Sequence, residues 1–162
     1  MDIRAYESRD LAALHAINVE GEPGVGAVTQ DGLAAIVAEG TCLVAEGAAG
    51  PEGFILLVEP GAAYGSPNYQ WFLRRHGAGG DFVYVDRIAI GVAGRGKGLG
   101  AALYGAAFEV FAGQRAVMTC EVNTLPPNPG SMRFHQRLGF EPVGEQVFII
   151  GEKAVAYLER PL

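Results

Sequence analysis

The sequence predicts a single α/β domain over residues 1–162, with an α+β-like mixed sheet of about six to seven strands flanked by about four helices. Three observations support this prediction. Two amphipathic helical segments near the N-terminus precede a β-hairpin, the middle of the chain contains one strand–helix–strand unit, and two further strands end the chain. The length also fits one domain.

In the N-terminal half, the bounds of the helices and strands are predicted from helix-capping residues and turn residues. Ser8 is expected to cap the first helix and Asp31 the second. The predicted strands cover residues 2–6, 41–46 and 53–59, and the predicted helices cover residues 8–19, 31–38 and 69–75. The long connection over 61–80 is rich in aromatic residues, and it is expected either to pack on the core as a lid or to contact substrate.

The C-terminal half contains the clearest signals. Residues 82–90 form a strand that is apolar on both faces, which is typical of the centre of a sheet. The following helix, 99–111, is apolar around most of its circumference and is therefore expected to be buried. A strand over 115–123, a helix from Asn128 to Gly139, and strands over 141–150 and 153–160 complete the prediction.

Charge and hydropathy exclude several classes of partner. The net charge is −6, whereas nucleic-acid binding usually needs a basic face. No apolar run approaches the roughly 20 residues that span a bilayer, and the first residues lack the apolar stretch of a signal peptide. We therefore expect a cytoplasmic protein that binds neither nucleic acid nor membranes, with a surface that suits a cationic amine.

The two cysteines, Cys42 and Cys120, each lie inside an apolar strand-like run. Neither belongs to a Cys-x-x-Cys pair or to a His/Cys cluster with metal-ligand spacing. We expect two buried free thiols and no metal site.

The densest signal is the run Gly94-Arg95-Gly96-Lys97-Gly98-Leu99-Gly100, which follows the central strand and opens a helix. This setting presents backbone N–H groups and the positive end of a helix dipole to an anion. Glycines allow the backbone to approach a phosphate closely. A bound phosphate or pyrophosphate is the natural inference.

Two other phosphate-binding loops resemble this run. Residues 91–98 nearly match a Walker A motif, but Gly98 stands where a Ser or Thr must coordinate magnesium, which excludes that class. Gly96-x-Gly98-x-x-Ala101 matches a loose dinucleotide fingerprint, with Glu121 as the ribose-binding acid. Only one clear strand–helix–strand unit exists, however, so a dinucleotide-binding oxidoreductase remains the weaker rival.

Two blocks together resemble the GNAT N-acetyltransferase superfamily, in a predicted branch that is uncharacterised. The first is Asp86 to Ile90 followed, five residues later, by the Arg95–Gly100 loop. The second contains Asn128, Ser131, Phe134, His135, Gly139 and Phe140. The resemblance covers residues 82–150 well, and the rest of the chain fits in the order of its elements.

The resemblance implies acetyl-CoA as co-substrate, bound in a cleft where the fourth and fifth strands splay apart. Main-chain groups of residues 88–90 would pair with the pantetheine arm, and the loop would hold the pyrophosphate. The implied cofactor-binding residues are Ile88, Ala89, Ile90, Arg95, Gly96, Lys97, Gly98, Leu99, Gly100, Asn128, Ser131 and His135.

The reaction implied is direct attack of an amine on the thioester, which requires a base for the amine proton. Glu121 is the first candidate, because its strand face turns polar near the cleft; a structural pair with Arg87 or Arg133 is the alternative. Asp86 is the second candidate, and a bulge is expected to disturb the strand alternation there.

His135 occupies the position where the family usually has a tyrosine acid. An imidazole near its ordinary pKa of about 6.5 can donate a proton to the departing thiolate. An ordinary packing histidine is the alternative. The acceptor is expected to be a small-molecule or peptide amine. A homodimer is compatible with the sequence. The main alternative to an enzyme is a non-catalytic module that binds acyl-CoA.

Overall fold

The computed structural model describes residues 2–162 and contains one seven-stranded sheet with the order β1-β2-β3-β4-β5-β7-β6. The strands are β1 Asp2–Ala5, β2 Thr41–Gly47, β3 Gly50–Val58, β4 Phe82–Ile90, β5 Val117–Leu125, β6 Glu141–Ile149 and β7 Lys153–Pro161. The helices are α1 Leu11–Gly21, α2 Gln30–Glu39, α3 Pro67–His76, α4 Leu99–Phe111 and α5 Pro129–Arg137. The predicted mixed α/β architecture is confirmed, with five α-helices instead of about four.

The sheet is mostly antiparallel. Among the strands of residues 2–162, β4 and β5 form the parallel pair, and α4 connects them. A doubly wound dinucleotide-binding sheet needs several parallel neighbours. The observed topology therefore contradicts that rival fold.

The parallel pair is only partly closed. Phe82–Tyr84 of β4 pair with Val117–Thr119 of β5, although each strand continues for six more residues. On its other side, β4 stays paired with β3 out to Ile90. The two parallel strands thus diverge toward their C-terminal ends, and this confirms the predicted splayed cleft.

Both predicted N-terminal caps were wrong. The first turn is a 3₁₀ turn over Ser8–Asp10, in which the Asp10 carboxylate accepts the Glu7 N–H at 2.8 Å and is bridged to Arg4. The second helix is capped by Thr29, whose hydroxyl accepts the Gly32 N–H at 3.0 Å. In each case a nearby side chain with the right reach satisfies the first free N–H groups.

Each face of the sheet has its own apolar core. One face packs against α4, with Leu103, Ala107 and Phe111 buried at the contact. The other face packs against α1, α2 and α3.

Cys42 and Cys120 are free and buried, as predicted. No helix in the described chain is long and apolar enough to cross a membrane.

Helix α3 settles the ambiguity of the long aromatic connection. Its Tyr69 and Phe72 are fully buried in the core. Trp71 stacks on Tyr157 of β7 with ring centroids 4.1 Å apart, and it lies over Gly144 of β6. Most of these aromatic side chains therefore pack as core; Tyr64 instead reaches toward the cleft.

Candidate active site

A cavity of about 120 Å³ lies where β4 and β5 diverge. Five elements contribute to it: the loop after α1, β4, α4, β5 and α5. The lining residues are Gly24, Val25, Gly26, Val85, Asp86, Arg87, Ile88, Tyr104, Cys120, Glu121, Ser131 and His135. All three side chains predicted to act in catalysis, Glu121, Asp86 and His135, line this one cavity.

Glu121 lies on the cavity side of β5, between two residues that point into the core, Cys120 and Val122. The Tyr84 hydroxyl donates a 2.7 Å hydrogen bond to its Oε2. Burial raises the pKa of Glu121 to about 8; the hydrogen bond from Tyr84 lowers the pKa and the charge of Asp86 raises it. The Glu121 carboxyl group can therefore gain or lose a proton at mildly basic pH.

The predicted alternative for Glu121, an ion pair with Arg87 or Arg133, is absent from the described chain. Arg87 pairs instead with its neighbour Asp86, and Arg133 is exposed on α5. Glu121 is therefore held by a neutral hydroxyl and not by a cation, which leaves its charge uncompensated when it loses its proton.

Asp86 lies at the expected bulge: Leu56 pairs with Arg87 and Leu57 with Val85, so Asp86 has no partner in the β3 register. Both of its carboxylate oxygens are occupied. Oδ1 accepts the hydroxyl of Tyr64, and Oδ2 accepts Arg87 Nε at 2.7 Å. This arrangement favours a positioning role for Asp86 over the role of base.

Arg87 connects that carboxylate to the loop after α1. Its Nη1 donates to Asn18 Oδ1 at 3.0 Å and to the carbonyl of Gly26 at 3.2 Å. Asn18 is fully buried and its Nδ2 donates to the same carbonyl at 3.1 Å. Asp86 thereby fixes the position of the loop that closes one side of the cavity.

His135 is buried on α5, 5 % exposed, with both ring nitrogens engaged. Nδ1 lies 2.8 Å from the carbonyl oxygen of Ser131, and Nε2 lies 2.7 Å from the hydroxyl of Tyr104. Because a carbonyl only accepts, Nδ1 carries the proton and the Tyr104 hydroxyl donates to Nε2. Burial lowers the pKa of His135, which keeps the ring neutral near pH 7.

The glycine loop has the backbone shape that an anion site needs. Gly96 and Gly98 adopt φ values of +77° and +74°, a region that side chains with a Cβ rarely occupy. Gly98 is also the N-cap of α4 and brings no side chain to the free N–H groups of the first turn. These groups remain available to a phosphate.

The two cations of the loop are exposed. Arg95 Nη2 donates to the main-chain carbonyl of Glu20 at 3.2 Å, and Lys97 Nζ lies 3.2 Å from Glu52 Oε2. The Glu20 carboxylate accepts the Val92 N–H at 2.6 Å and so anchors the start of the loop. An exposed ion pair such as Lys97–Glu52 is weak, so Lys97 can exchange its partner for a phosphate.

The free edge of β4 can pair with an extended ligand. In residues 2–162 no strand pairs with the β5-facing edge of β4 beyond Tyr84. Main-chain groups of Ile88, Ala89 and Ile90 on that edge can therefore pair with a ligand as an added strand would. On the far side of the cleft, Asn128 caps α5, its Oδ1 accepting the Ser131 N–H at 3.2 Å.

Sequence reasoning missed the three tyrosines that hold the acidic and basic groups, Tyr64, Tyr84 and Tyr104. Tyr84 precedes Asp86 by two positions on β4, so the strand period was a signal for a shared face. Tyr104 offered a weaker signal, as a hydroxyl on an otherwise apolar helix. Tyr64 lies in the aromatic connection 61–80, for which substrate contact was one of the two predicted roles, but no pattern in the sequence linked it to Asp86.

The structure combines a mixed sheet that splays between two parallel strands, a glycine loop at the start of α4 and a carboxyl group in the cleft. Residues 33–140, more than half of the chain, match the acetyltransferase (GNAT) family. The chain therefore belongs to the GNAT family and is an acyltransferase enzyme.

Solved structures agree on the fold. The chain is similar to the ribosomal-protein-S18-alanine N-acetyltransferase from Escherichia coli, with a TM-score of 0.75, 16% identity, and coverage of 99% of this chain and 92% of that one. For the ribosomal-protein-alanine N-acetyltransferase from Brucella melitensis the TM-score is 0.73, the identity 22%, and both chains are covered fully, at 100%.

A third similar structure is a spermidine N-acetyltransferase chimera from Vibrio cholerae and hSSAT, with a TM-score of 0.70, 20% identity, and coverage of 99% of this chain and 96% of that one. The names of these proteins specify different acceptors, a protein alanine and spermidine. No curated protein matches the sequence significantly. Fold likeness at this identity names no acceptor for this chain.

Proposed function

We propose that this enzyme is an acetyl-CoA-dependent N-acetyltransferase that moves an acetyl group to a small-molecule or peptide amine by direct attack on the thioester. The observation that carries the proposal is the position of Glu121. Its carboxyl group, with a pKa raised to about 8, lines the cavity that the diverging β4 and β5 open. A buried carboxyl group that has a hydroxyl as partner, and no cation, is suited to accept a proton from an ammonium group or an amine.

Different residues of the cleft would bind different parts of acetyl-CoA. The N–H groups of residues 96–100 would hold the pyrophosphate, with Arg95 and Lys97 adding positive charge. Ile88, Ala89 and Ile90 would pair with the pantetheine arm along the free edge of β4. Leu99, Asn128 and Ser131 would shape the walls.

The chemistry requires no covalent enzyme intermediate. Glu121 takes the proton of the attacking amine, directly or through a water molecule. A main-chain N–H of residues 88–90 stabilises the negative oxygen of the tetrahedral intermediate. Asp86 and Arg87 hold the loop after α1 in place, which shapes the acceptor side of the cavity.

Thermal melting with acetyl-CoA, CoA and NAD tests cofactor binding. At 100 times its dissociation constant, a ligand stabilises a protein by about 2.7 kcal/mol, which raises the melting temperature by roughly 2–4 °C at this chain length. We expect shifts with acetyl-CoA and CoA and none with NAD. A double variant, Arg95→Ala with Lys97→Ala, should lose most of the shift.

The matched control is Arg133→Ala with Arg137→Ala, which removes two exposed cations from α5. This control separates loss of the loop charges from loss of overall charge. A shift with NAD alone, or no shift with either CoA form, contradicts the proposal. Binding of acetyl-CoA without transfer to any amine would favour the non-catalytic acyl-CoA-binding module.

A further inference from the structure

Besides the Tyr84–Glu121 contact, the cleft contains a hydroxyl–imidazole pair that takes no part in the proposed activation of the amine. Tyr104 of α4 and His135 of α5 are both buried, and both line the cavity with Glu121. Their contact is a 2.7 Å hydrogen bond with the rings in an edge-on arrangement, at a centroid distance of 5.3 Å. Phe134 and Phe140 pack edge-on against His135 and fix its ring.

The direction of this hydrogen bond determines which group can give a proton. The Ser131 carbonyl at 2.8 Å fixes the proton of His135 on Nδ1, so Nε2 is an acceptor with no proton to give. The transferable proton of the pair is therefore the hydroxyl proton of Tyr104. The hydrogen bond to Nε2 holds the Tyr104 hydroxyl oxygen at the wall of the cavity, and its proton turns from Nε2 to the sulfur when the thiolate forms.

Resting on the acetyl transfer proposed above, we propose that Tyr104 protonates the departing thiolate and that His135 is the residue that positions its hydroxyl. The amine nitrogen forms a bond to the thioester carbon, and the carbon–sulfur bond breaks with its electron pair on sulfur. The Tyr104 O–H bond breaks as the S–H bond forms. Glu121, which has taken the amine proton, returns a proton to the phenolate through water, so no net charge or oxidation state changes.

The cavity itself shows why the thiolate needs a proton. Cys120 lines the same space, and burial raises the pKa of its thiol well above the ordinary value. A thiolate left there by the reaction meets the same loss of solvation and is a strong base. Burial also raises the pKa of Tyr104, so the phenol holds its proton until such a base appears beside it.

The sharpest test changes the leaving group. Tyr104→Phe should lower kcat with acetyl-CoA by about 100-fold with little change in KM, the usual size of a general-acid effect. With small donors, the same variant should be slow on the acetyl thioester of N-acetylcysteamine, whose thiol resembles CoA. It should be close to wild type on 4-nitrothiophenyl acetate, whose thiolate leaves without a proton. In these assays the acetyl acceptor is the amine that reacts fastest in a panel of amines, or water when the assay follows hydrolysis of the donor.

The matched control is Tyr69→Phe. Tyr69 is also fully buried and loses one 2.7 Å hydrogen bond, from its hydroxyl to the Glu59 carbonyl, but it does not line the cavity. It should lose stability as Tyr104→Phe does and keep its kcat with both donors. A Tyr104→Phe variant that is equally slow with both donors, or as fast as wild type with acetyl-CoA, overturns the role of Tyr104.

The positioning role of His135 has its own test. His135→Gln keeps an acceptor for the hydroxyl and should be faster than His135→Leu; His135→Leu should add little to the defect of Tyr104→Phe. Additive defects would mean that His135 acts independently of Tyr104. Nitrogen-15 chemical shifts of the His135 ring, measured without any substrate, should show a neutral ring protonated at Nδ1; a ring protonated at Nε2 overturns the proposal.

These outcomes distinguish failure of acetyl transfer from failure of Tyr104 as the proton donor. Wild-type protein that is inactive with acetyl-CoA and with both small donors contradicts the acetyl transfer itself. Wild-type activity without any leaving-group dependence in Tyr104→Phe contradicts only the assignment of the proton donor.

Discussion

The Tyr84 hydroxyl donates a 2.7 Å hydrogen bond to Glu121 Oε2, from the last paired residue of β4 to a residue of β5 just beyond the parallel pairing. Two opposing effects act on the pKa of Glu121 here. Burial of Glu121 favours its neutral form, whereas the hydrogen bond from Tyr84 favours its carboxylate. The proposed base thus has a pKa that depends on a neighbouring side chain that can be changed.

Tyr84→Phe should move the acidic limb of the pH–rate profile to higher pH. The wild-type rate should rise with pH up to about 8, where Glu121 loses its proton. Removing a hydrogen bond to a charged group is worth about 1.5–3 kcal/mol, which corresponds to a shift of about one to two pH units. The profile of kcat/KM measures the shift, and Tyr69→Phe should leave the limb in place.

Glu121→Gln should change how stability depends on pH. Between the ordinary pKa of 4.5 and the folded value of about 8, the folded wild type holds one more proton than the unfolded chain. Its stability must therefore fall as pH rises through this window, by up to about 1.4 kcal/mol per pH unit. Urea unfolding at several pH values should show this fall in wild type and a flatter curve for Glu121→Gln. Parallel curves would contradict the raised pKa.

Gly98→Ala should weaken CoA binding, because residue 98 has a φ of +74° at the start of α4. A Cβ in that conformation costs about 1–2 kcal/mol, so we expect the free loop of the variant to relax to another conformation. CoA must then restore the original loop, and its dissociation constant should rise about tenfold in calorimetry. Gly105→Ala is the control: it lies within α4, and a Cβ there meets no atom within 4 Å. That variant should bind CoA normally and be more stable than wild type by up to about 1 kcal/mol.

Gly144→Ala should loosen the packing of α3 on the sheet. A Cβ at residue 144 would lie 2.4 Å from Cζ2 of Trp71, which is stacked on Tyr157. Overpacking of this kind costs about 1–3 kcal/mol, measurable as a lower melting temperature and altered tryptophan fluorescence. Gly130→Ala, on the first turn of α5 with open space around its Cβ, should melt within a degree or so of wild type.

Local patterns predicted much of the fold. Strand β4 and helix α4 were predicted with their exact ends, Phe82–Ile90 and Leu99–Phe111, because each is a largely apolar segment with glycines close to both of its ends. The splay between β4 and β5 followed from the family resemblance. The caps were missed because Asp10 and Thr29 act through side-chain geometry that competing polar neighbours, Ser8 and Asp31, offer equally well in sequence.

The candidate site was predictable residue by residue but not as a network. Glu121, Asp86 and His135 were each identified from residue type and position, and the cavity contains all three. Their partners come from segments far apart in the chain: Tyr104 and His135 are 31 residues apart, Tyr84 and Glu121 are 37 apart, and Asn18 and Arg87 are 69 apart. No local period encodes such contacts, so the sequence could not reveal that Asp86 is fully occupied or that His135 only accepts from Tyr104.

The most direct test of the central claim is transfer of an isotopically labelled acetyl group from acetyl-CoA to a panel of amines, followed by mass spectrometry. The panel should contain amino acids, polyamines, lysine peptides and free peptide N-termini. We predict a labelled amide, one CoA thiol released for each amide formed, and a rate at least about 100-fold lower for Glu121→Gln. Acetyl-CoA that binds to the protein and yields no labelled amide with any amine would contradict the account.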